Sequence, residues 1–388
     1  RTARALQQPK WNSLDKLNEV LLDLETRAPL VTASSVRNLR EELACAVRGR
    51  AFVVQAGDCA ERFVDATPER TREKATFLRG LADIVTAESG IRSIVIGRMG
   101  GQYAKPRSNP TEVLPDGMIV PVYRGDAVNG PDAVPEARIA DPRRLRQAYQ
   151  HAKTVIDSLQ HYGDPVVDGP AVSPVYVSHE ALLLEYEQAL TRGEVLGEFG
   201  SSAHLLWVGE RTRQIDHAHI DFLASISNPI GVKIGPDITG DEARELVRVL
   251  NPNKEPGRLT FIVRMGAAAV AGRLPPVLAA LGSDAADVLW MSDPMHGNTT
   301  TNGAGQKTRV LEAVVSEVES VIEVLSERGL PMGGLHLEAT HDPVRECASD
   351  TAEFRSTAPL PNYETACDPR LNAPQASTVV SHVGRLMA

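Results

Sequence analysis

Two groups of side chains in this 388-residue chain have types suited to chemistry on anions and metals. The first group is cationic: Arg98, Lys105, Arg107, Arg211, Lys233 and Arg264. Arginine binds phosphate or carboxylate through paired hydrogen bonds, and lysine supplies a point charge. Because crowded cations need counter-charge, the group indicates a pocket for more than one anion. The alternative is that these cations pair with acids such as Asp58, Glu61 and Glu210.

The second group contains four ligand types that are far apart in the chain: Cys59, His296, Glu338 and Asp368. Thiolate, imidazole and carboxylate all bind transition metals. Their spacing matches no diagnostic interval, so spacing alone leaves a metal site and a structural role equally open. The chain has no G-x-x-x-x-G-K-[ST] loop and no dinucleotide-binding glycine pattern, which argues against nucleotide-dependent chemistry.

The elements that must position these residues recur as eight units, each a short apolar run that ends in a polar or glycine-containing cluster. The runs cover residues 52–54, 94–96, 175–177, 205–208, 231–232, 261–263, 288–291 and 335–337. Apolar runs that alternate with helical patterns are typical of a parallel sheet covered on both faces. Eight of them predict an α/β fold, a (β/α)₈ or TIM barrel, with its active site at the C-terminal strand ends.

We predict two regions, an N-terminal helical extension over residues 1–50 and a single barrel domain over residues 51–388. Thr67 before Pro68 predicts the start of a helix. Thr239 and Glu242 form a capping-box pattern. Apolar residues at helical spacing between positions 310 and 325 predict a long helix, and the long excursion over 110–172 contains another helical pattern.

Composition excludes several classes of protein. The net charge of −9 argues against a general nucleic-acid binder. No apolar run approaches the length of a membrane span, and residues 1–10 lack the apolar core of a signal peptide. The four cysteines show no C-x-x-C spacing, which favours the cytoplasm, although a redox pair between Cys347 and Cys367 is left open.

Seven ordered segments carry a family resemblance. They are QAGDCAE (55–61), GQYAKPRS (101–108), PVYRGD (121–126), WVGERTRQ (207–214), NPIGVK (228–233), DPMHGNT (293–299) and CDPRLN (367–372). Together they resemble the type II (plant-type) 3-deoxy-D-arabino-heptulosonate 7-phosphate (DAHP) synthases, which catalyse the first step of the shikimate pathway. The resemblance extends from Gln8 almost to the C-terminus.

The resemblance implies a role for each candidate residue. Cys59, His296, Glu338 and Asp368 would bind a divalent metal, Mn²⁺ or Co²⁺ before Zn²⁺ or Fe²⁺. Phosphoenolpyruvate would be held by Arg98, Glu210, Arg211, Lys233 and Arg264. Erythrose 4-phosphate would be held by Lys105 and Ser108, with Arg107 nearby. Glu210, Lys233 and Arg211 would be catalytic, with Glu210 positioning a water molecule.

The chain also departs from the family pattern. His341 follows Thr340 where glycine is usual, and residues 348–350 lack two usual glycines. The short chain resembles synthases of secondary metabolism such as the phenazine pathway, which implies weak feedback inhibition by aromatic amino acids. The N-terminal extension suggests a homodimer or larger homo-oligomer.

Two other functions stay open at this point. One is an aminoDAHP synthase that uses an imino sugar phosphate. The other is a non-catalytic barrel that regulates a partner such as chorismate mutase.

Overall fold

Eight parallel strands close into a barrel in the computed structural model, which describes residues 3–114, 117–162, 174–195, 197–365 and 367–388. All eight predicted strands are confirmed, with ends shifted by a few residues. Most of their side chains are apolar because one face meets the barrel interior and the other meets the surrounding helices. The strands are β1 (Phe52–Gly57), β2 (Ser93–Arg98), β3 (Val175–Glu180), β4 (Leu205–Val208), β5 (Ile230–Ile234), β6 (Leu259–Val263), β7 (Leu289–Ser292) and β8 (Gly334–Glu338).

Neighbouring strands pair in chain order, and β8 pairs with β1 to close the barrel. In that closing pair Gly57 lies opposite Glu338, and in the next pair Gly57 lies opposite Arg98. The register therefore places the last residues of β2 and β8 on either side of the end of β1.

Helices connect and surround the strands. They are α1 (Leu14–Glu25), α2 (Ala33–Val47), α3 (Pro68–Ser89), α4 (Arg143–Tyr162), α5 (Leu184–Ala189), α6 (Ala218–Ser225), α7 (Gly240–Leu250), α8 (Val270–Leu281), α9 (Leu311–Ser326), α10 (Thr351–Arg355) and α11 (Ala373–Leu386).

The predicted helix starts are confirmed at atomic detail. The Thr67 side chain accepts a hydrogen bond from the backbone N–H of Arg70 at the start of α3. At the start of α7, Thr239 and Glu242 cap each other's backbone N–H groups at 3.2 and 2.8 Å. These local bonds satisfy amide groups that have no partner within the helix.

Within the described residues, three short antiparallel hairpins and three 3₁₀ turns lie in the loops. The hairpins pair Thr111–Val113 with Ile119–Pro121, Thr191–Glu194 with Gly197–Gly200, and Thr300–Thr301 with Lys307–Thr308. The 3₁₀ turns are Phe63–Asp65, Gly282–Asp287 and His296–Asn298. The predicted excursion over 110–172 holds the first hairpin and α4, while its residues 163–172 lie outside the described residues. Among the helices described, none combines the length and apolarity needed to cross a membrane.

Helix α2 covers the N-terminal end of the barrel. Its buried residues Leu39, Leu43, Ala46 and Val47 join a cluster with interior residues of the strands, including Ile94 and Met291. The first fifty residues thus contribute to packing inside the barrel. The division after residue 50 stays a prediction about folding units.

Candidate active site

The candidate residues come from separate strands and meet at one end of the barrel. Arg98 and Glu338 are the last residues of β2 and β8, and Lys233 is the penultimate residue of β5. Cys59, Glu210 and Arg264 follow β1, β4 and β6 by one or two residues. His296 begins the 3₁₀ turn after β7. This is the end of the barrel at which such folds place their chemistry.

Three of the four proposed metal ligands form a tight cluster. The ligand atoms of Cys59, Glu338 and Asp368 all lie within 4.8 Å of one another. His296 joins this cluster through Glu338, since its Nε2 lies 3.1 Å from Oε1 of that residue. Sulfur, nitrogen and carboxylate oxygen together make a donor set suited to a divalent transition metal.

The ammonium group of Lys105 lies among the same three donors. Its Nζ is 2.7 Å from Sγ of Cys59, 3.3 Å from Oε1 of Glu338 and 3.1 Å from Oδ2 of Asp368. A cation therefore already lies between these donors, and this arrangement supports the fit of the site to a metal ion.

Glu338 is the most heavily neutralised carboxylate of the site. Its Oε1 contacts Arg98, Lys105 and His296, and its Oε2 accepts a hydrogen bond from Arg309 at 2.8 Å. Burial opposes ionisation of Glu338, yet these cations outweigh it and hold its pKa well below the usual range. The carboxylate is thus ionised in a fully buried position.

Cys59 and Asp368 differ in the protonation state that their surroundings favour. Burial raises the pKa of the Cys59 thiol well above its usual value. Burial also disfavours the ionised form of Asp368, but Lys105 holds the pKa of this carboxyl well below its ordinary value. All four cysteines are free thiols, so the pair that the sequence left open between Cys347 and Cys367 is not formed.

The cationic group divides into two sets. Arg98 and Lys105 pair with Glu338, and Lys233 pairs with the buried Asp293. Burial lowers the pKa of Lys233 to about 8, although Asp293 opposes the shift. These three cations are therefore held by acids of the site itself.

The other three cations have no carboxylate partner among the described residues. Arg211 donates to Oγ of Ser108 at 2.6 Å, and Arg264 donates to the backbone carbonyl of His296 at 3.2 Å. A guanidinium nitrogen of Arg107 lies 3.6 Å from Sγ of Cys367. These three arginines are therefore available to bind anionic groups of a substrate.

The alternative that the cations pair with acids therefore holds for Arg98, Lys105 and Lys233, but with acids other than the three that the sequence suggested. Asp58 pairs with Lys74 and Arg370. Glu61 accepts the backbone N–H groups of residues 100–102. Glu210 pairs through Oε1 with Arg213 at 2.7 Å.

Glu210 also presents a free acceptor. Its Oε2 is buried and has no hydrogen-bond partner within the part of the chain that the structure describes. The same atom lies 2.8 Å from where a Cβ on Gly235 would stand. A buried carboxylate oxygen without a partner is costly. It is therefore suited to accept a hydrogen bond from water or substrate.

A chain of hydrogen bonds across the barrel interior fixes Arg98. Arg98 donates to Nε2 of His336, so the proton of this imidazole lies on Nδ1, 2.7 Å from Oε1 of Gln55. Gln55 donates to Oγ of Ser178 at 2.9 Å, and Ser178 donates to the carbonyl of Gly97 at 2.9 Å. Burial and the neighbouring cations lower the pKa of His336 well below its usual value, which keeps the ring neutral.

The structure places around the site several residues to which no individual role could be assigned from the sequence. They are Gln55, Glu180, Arg309 and Glu317. Arg309 and Glu317 are fully buried although both are charged. The available signal was a charged residue at a buried position of an apolar pattern, and Glu317 occupies such a position in α9.

Comparisons with known proteins agree on one family. Residues 1–165 and 170–384 match the model described as the class-II DAHP synthetase family. The chain is 39% identical over 418 residues to phospho-2-dehydro-3-deoxyheptonate aldolase of Streptomyces coelicolor, covering 96% of this chain and 93% of the relative. It is 42% identical over 383 residues to the probable enzyme of that name from Pseudomonas fluorescens, covering 97% and 94%.

A more distant relative from Neurospora crassa, with the same name, is 35% identical over 435 residues, covering 95% of this chain and 89% of the relative. The fold resembles a phospho-2-dehydro-3-deoxyheptonate aldolase structure from Francisella tularensis, with a TM-score of 0.57, 14% identity, and coverage of 99% and 97%. That structure supports the fold alone. From the family match and the identities over nearly the whole chain, the protein belongs to the class-II DAHP synthetase family.

Proposed function

We propose that this chain is a DAHP synthase that condenses phosphoenolpyruvate with erythrose 4-phosphate to give DAHP and phosphate. The observation that carries the proposal is one barrel end with two adjoining features. One is the cluster of Cys59, Glu338 and Asp368, and the other is the set of arginines without carboxylate partners. Two anionic substrates and a metal ion need both features.

Four residues would hold the metal: Cys59, His296, Glu338 and Asp368. The donor set favours Mn²⁺ or Co²⁺, with Zn²⁺ and Fe²⁺ as alternatives. When bound, the metal supplies Lewis acidity toward the aldehyde oxygen of the sugar phosphate. The remaining steps depend on side chains of this chain.

The cations would hold the two substrates face to face. Arg98, Arg211, Lys233 and Arg264 bind phosphoenolpyruvate, with Lys233 and Arg211 at its phosphate. Lys105, Arg107 and Ser108 bind the sugar phosphate, and the 2.6 Å contact between Arg211 and Ser108 joins the two subsites. Holding two mutually repelling anions in reacting geometry supplies a large part of the rate.

The bond changes then follow from the chemistry of an enol phosphate. The enol carbon attacks the aldehyde carbon and forms the new C–C bond as the π bond of the aldehyde breaks. The aldehyde oxygen takes up a proton, and positive charge is left at C2. Water adds at C2 with loss of one proton, and the resulting hemiketal becomes the ketone as its C–O bond to phosphate breaks and its hydroxyl proton leaves with the phosphate. The free Oε2 of Glu210 is the acceptor that would orient this water and take its proton.

Replacing Glu210 with glutamine tests this assignment. The amide keeps the size of the side chain but loses the ionised acceptor. We expect kcat to fall by about 10²–10⁴-fold, the range for a lost general base. Unchanged turnover in Glu210→Gln, measured as phosphate release, would rule the assignment out.

The substrate is tested by supplying erythrose 4-phosphate alone with phosphoenolpyruvate. Turnover establishes DAHP synthase activity. Turnover only with an imino sugar phosphate would instead identify an aminoDAHP synthase. No turnover with either would favour a regulatory barrel.

The most specific part of the proposal concerns the role of the enzyme in the cell. It includes a role in secondary metabolism such as phenazine formation, with little feedback inhibition. The enzyme would act in the cytoplasm, which the spacing of its four cysteines favours. It would act as a homodimer or larger homo-oligomer, with chorismate mutase as a candidate partner. Strong inhibition by millimolar tryptophan, phenylalanine or tyrosine would contradict the regulatory part.

A further inference from the structure

Glu317 is a charged residue on the buried face of α9. It is fully buried and shares that face with Val314, Val318 and Val321. A carboxylate at such a position is costly unless it accepts several hydrogen bonds. Its contacts therefore explain why it lies there.

The carboxylate of Glu317 connects two loops of the active site. Its Oε1 accepts the backbone N–H groups of Met265 and Gly266 at 2.8 and 2.9 Å. Its Oε2 accepts a hydrogen bond from Nδ2 of Asn298 at 2.7 Å. Met265 directly follows Arg264, and Asn298 lies in the same 3₁₀ turn as His296.

Asn298 adds further hydrogen bonds between the same two loops. Its Oδ1 accepts the backbone N–H of Ala267 at 3.0 Å, and its Nδ2 also donates to the carbonyl of Pro294 at 2.8 Å. The amide of Asn298 therefore contacts the loop after β6, the loop after β7 and helix α9 together.

The two loops touch each other closely where Glu317 holds them. Gly266 has a φ of +87°, and a Cβ on Gly297 would lie 2.2 Å from the Gly266 nitrogen. Arg264 also donates to the carbonyl of His296 at 3.2 Å. Both glycines are needed for this approach, so the loops can occupy only a narrow range of separations.

We propose that Glu317 is a positioning residue that sets the placement of Arg264 relative to His296. The inference rests on the proposed function, in which Arg264 binds phosphoenolpyruvate and His296 binds the metal. Glu317 touches neither substrate nor metal. It acts through the backbone of the two loops and so couples phosphoenolpyruvate binding to metal binding.

The direct test is Glu317→Gln. The amide keeps the size of the side chain but must turn its NH₂ group toward either the two backbone N–H groups or the Asn298 amide. We expect the KM for phosphoenolpyruvate to rise about tenfold and Mn²⁺ affinity, measured by calorimetry, to fall by a similar factor. At saturating Mn²⁺ the KM for erythrose 4-phosphate should change by less than about twofold, because its proposed residues follow β2.

Two further variants make the test specific. Glu323→Gln removes an exposed carboxylate from the same helix and should leave every parameter unchanged. Asn298→Asp places a carboxylate oxygen against both Glu317 and the carbonyl of Pro294, and we expect it to shift the same parameters more than Glu317→Gln does.

A lower melting temperature for Glu317→Gln with both KM values and Mn²⁺ affinity unchanged would overturn the inference and leave a packing role. Equal increases in both KM values would overturn it too. If wild type consumed no phosphoenolpyruvate, the proposed function would fail, but the Mn²⁺ titration would still report the coupling to His296. Should Glu317→Gln not fold, Asn298→Ala is the substitute, and we expect it to change the KM for phosphoenolpyruvate and the Mn²⁺ affinity in the same direction by less than tenfold. If Asn298→Ala left both values at the wild-type level, the inference would be overturned.

Discussion

The carboxylate at the centre of the site is fixed by partners that lie far away in the sequence. Glu338 contacts Arg309 through one carboxylate oxygen and Arg98, Lys105 and His296 through the other. Arg98 is in turn oriented by His336. The directions of the substrate-binding cations thus depend on side chains that touch no substrate.

Replacing Gln55 with leucine tests this dependence. Leucine cannot accept the hydrogen bond from Nδ1–H of His336. The imidazole then loses the bond that fixes its tautomer, and with it the orientation of Nε2 as acceptor for Arg98. Leaving buried polar groups without partners costs about 1–3 kcal/mol. We expect the KM for phosphoenolpyruvate to rise by roughly 5–150-fold, with the exposed Gln150→Leu as the unaffected control. If Gln55→Leu kept the wild-type KM for phosphoenolpyruvate, the chain of hydrogen bonds through His336 and Gln55 would not be what orients Arg98.

The sequence allowed only part of the site to be predicted. Candidate ligands and cations could be found because they follow apolar runs that become strands, and the resemblance assigned their roles. Arg309 and Gln55 could not be found in this way, because their partners Glu338 and His336 lie 29 and 281 residues away and are brought to them only by the fold.

At the scale of elements, the strands and the long helices could be predicted because their signal is local. Buried strands are continuously apolar, and amphipathic helices repeat with their own period. The hairpin of Thr191–Glu194 and Gly197–Gly200 gave no such signal, since most of its side chains are at least partly exposed. Glu317 interrupts the apolar face of α9 because that face also meets loop backbone.

The charge of Glu317 predicts how stability depends on pH. Burial raises its pKa from 4.5 to about 7, although the N–H groups that it accepts oppose the shift. Between these values the folded protein keeps a proton that the unfolded chain has lost. This stabilising contribution is therefore complete below about pH 4.5 and is lost as the pH rises through about 7.

The measurement is the melting temperature of wild type and Glu317→Gln from pH 5 to pH 8. The free energy of unfolding of wild type, relative to that of Glu317→Gln, should fall as the pH rises, by up to about 3 kcal/mol in total. A constant difference would contradict the raised pKa.

At the scale of the whole molecule, the N-terminal segment and the barrel share one core. Leu39 and Leu43 of α2 pack with the interior residues of the strands at the end opposite the active site. The sequence predicted a helical extension here but not its partner, because an amphipathic pattern shows that a face is buried without showing what buries it.

Leu43→Ala tests whether α2 belongs to the barrel core. Leu43 is fully buried, and such a truncation costs about 2–5 kcal/mol. We expect a clear fall in melting temperature while kcat of the folded protein stays near wild type. The matched control is Leu22→Ala on the exposed face of α1, which should change neither the melting temperature nor kcat. An unchanged melting temperature for Leu43→Ala would indicate an independent extension.

The central claim is a metal-dependent condensation of two anionic substrates at the end of the barrel. The most direct measurement mixes metal-stripped protein with phosphoenolpyruvate and erythrose 4-phosphate and follows the enol absorbance before and after Mn²⁺ is added. The account predicts a loss of absorbance that requires Mn²⁺ and both substrates, with one phosphate released for each phosphoenolpyruvate consumed. No loss with any divalent metal, from protein shown to be folded, would contradict it.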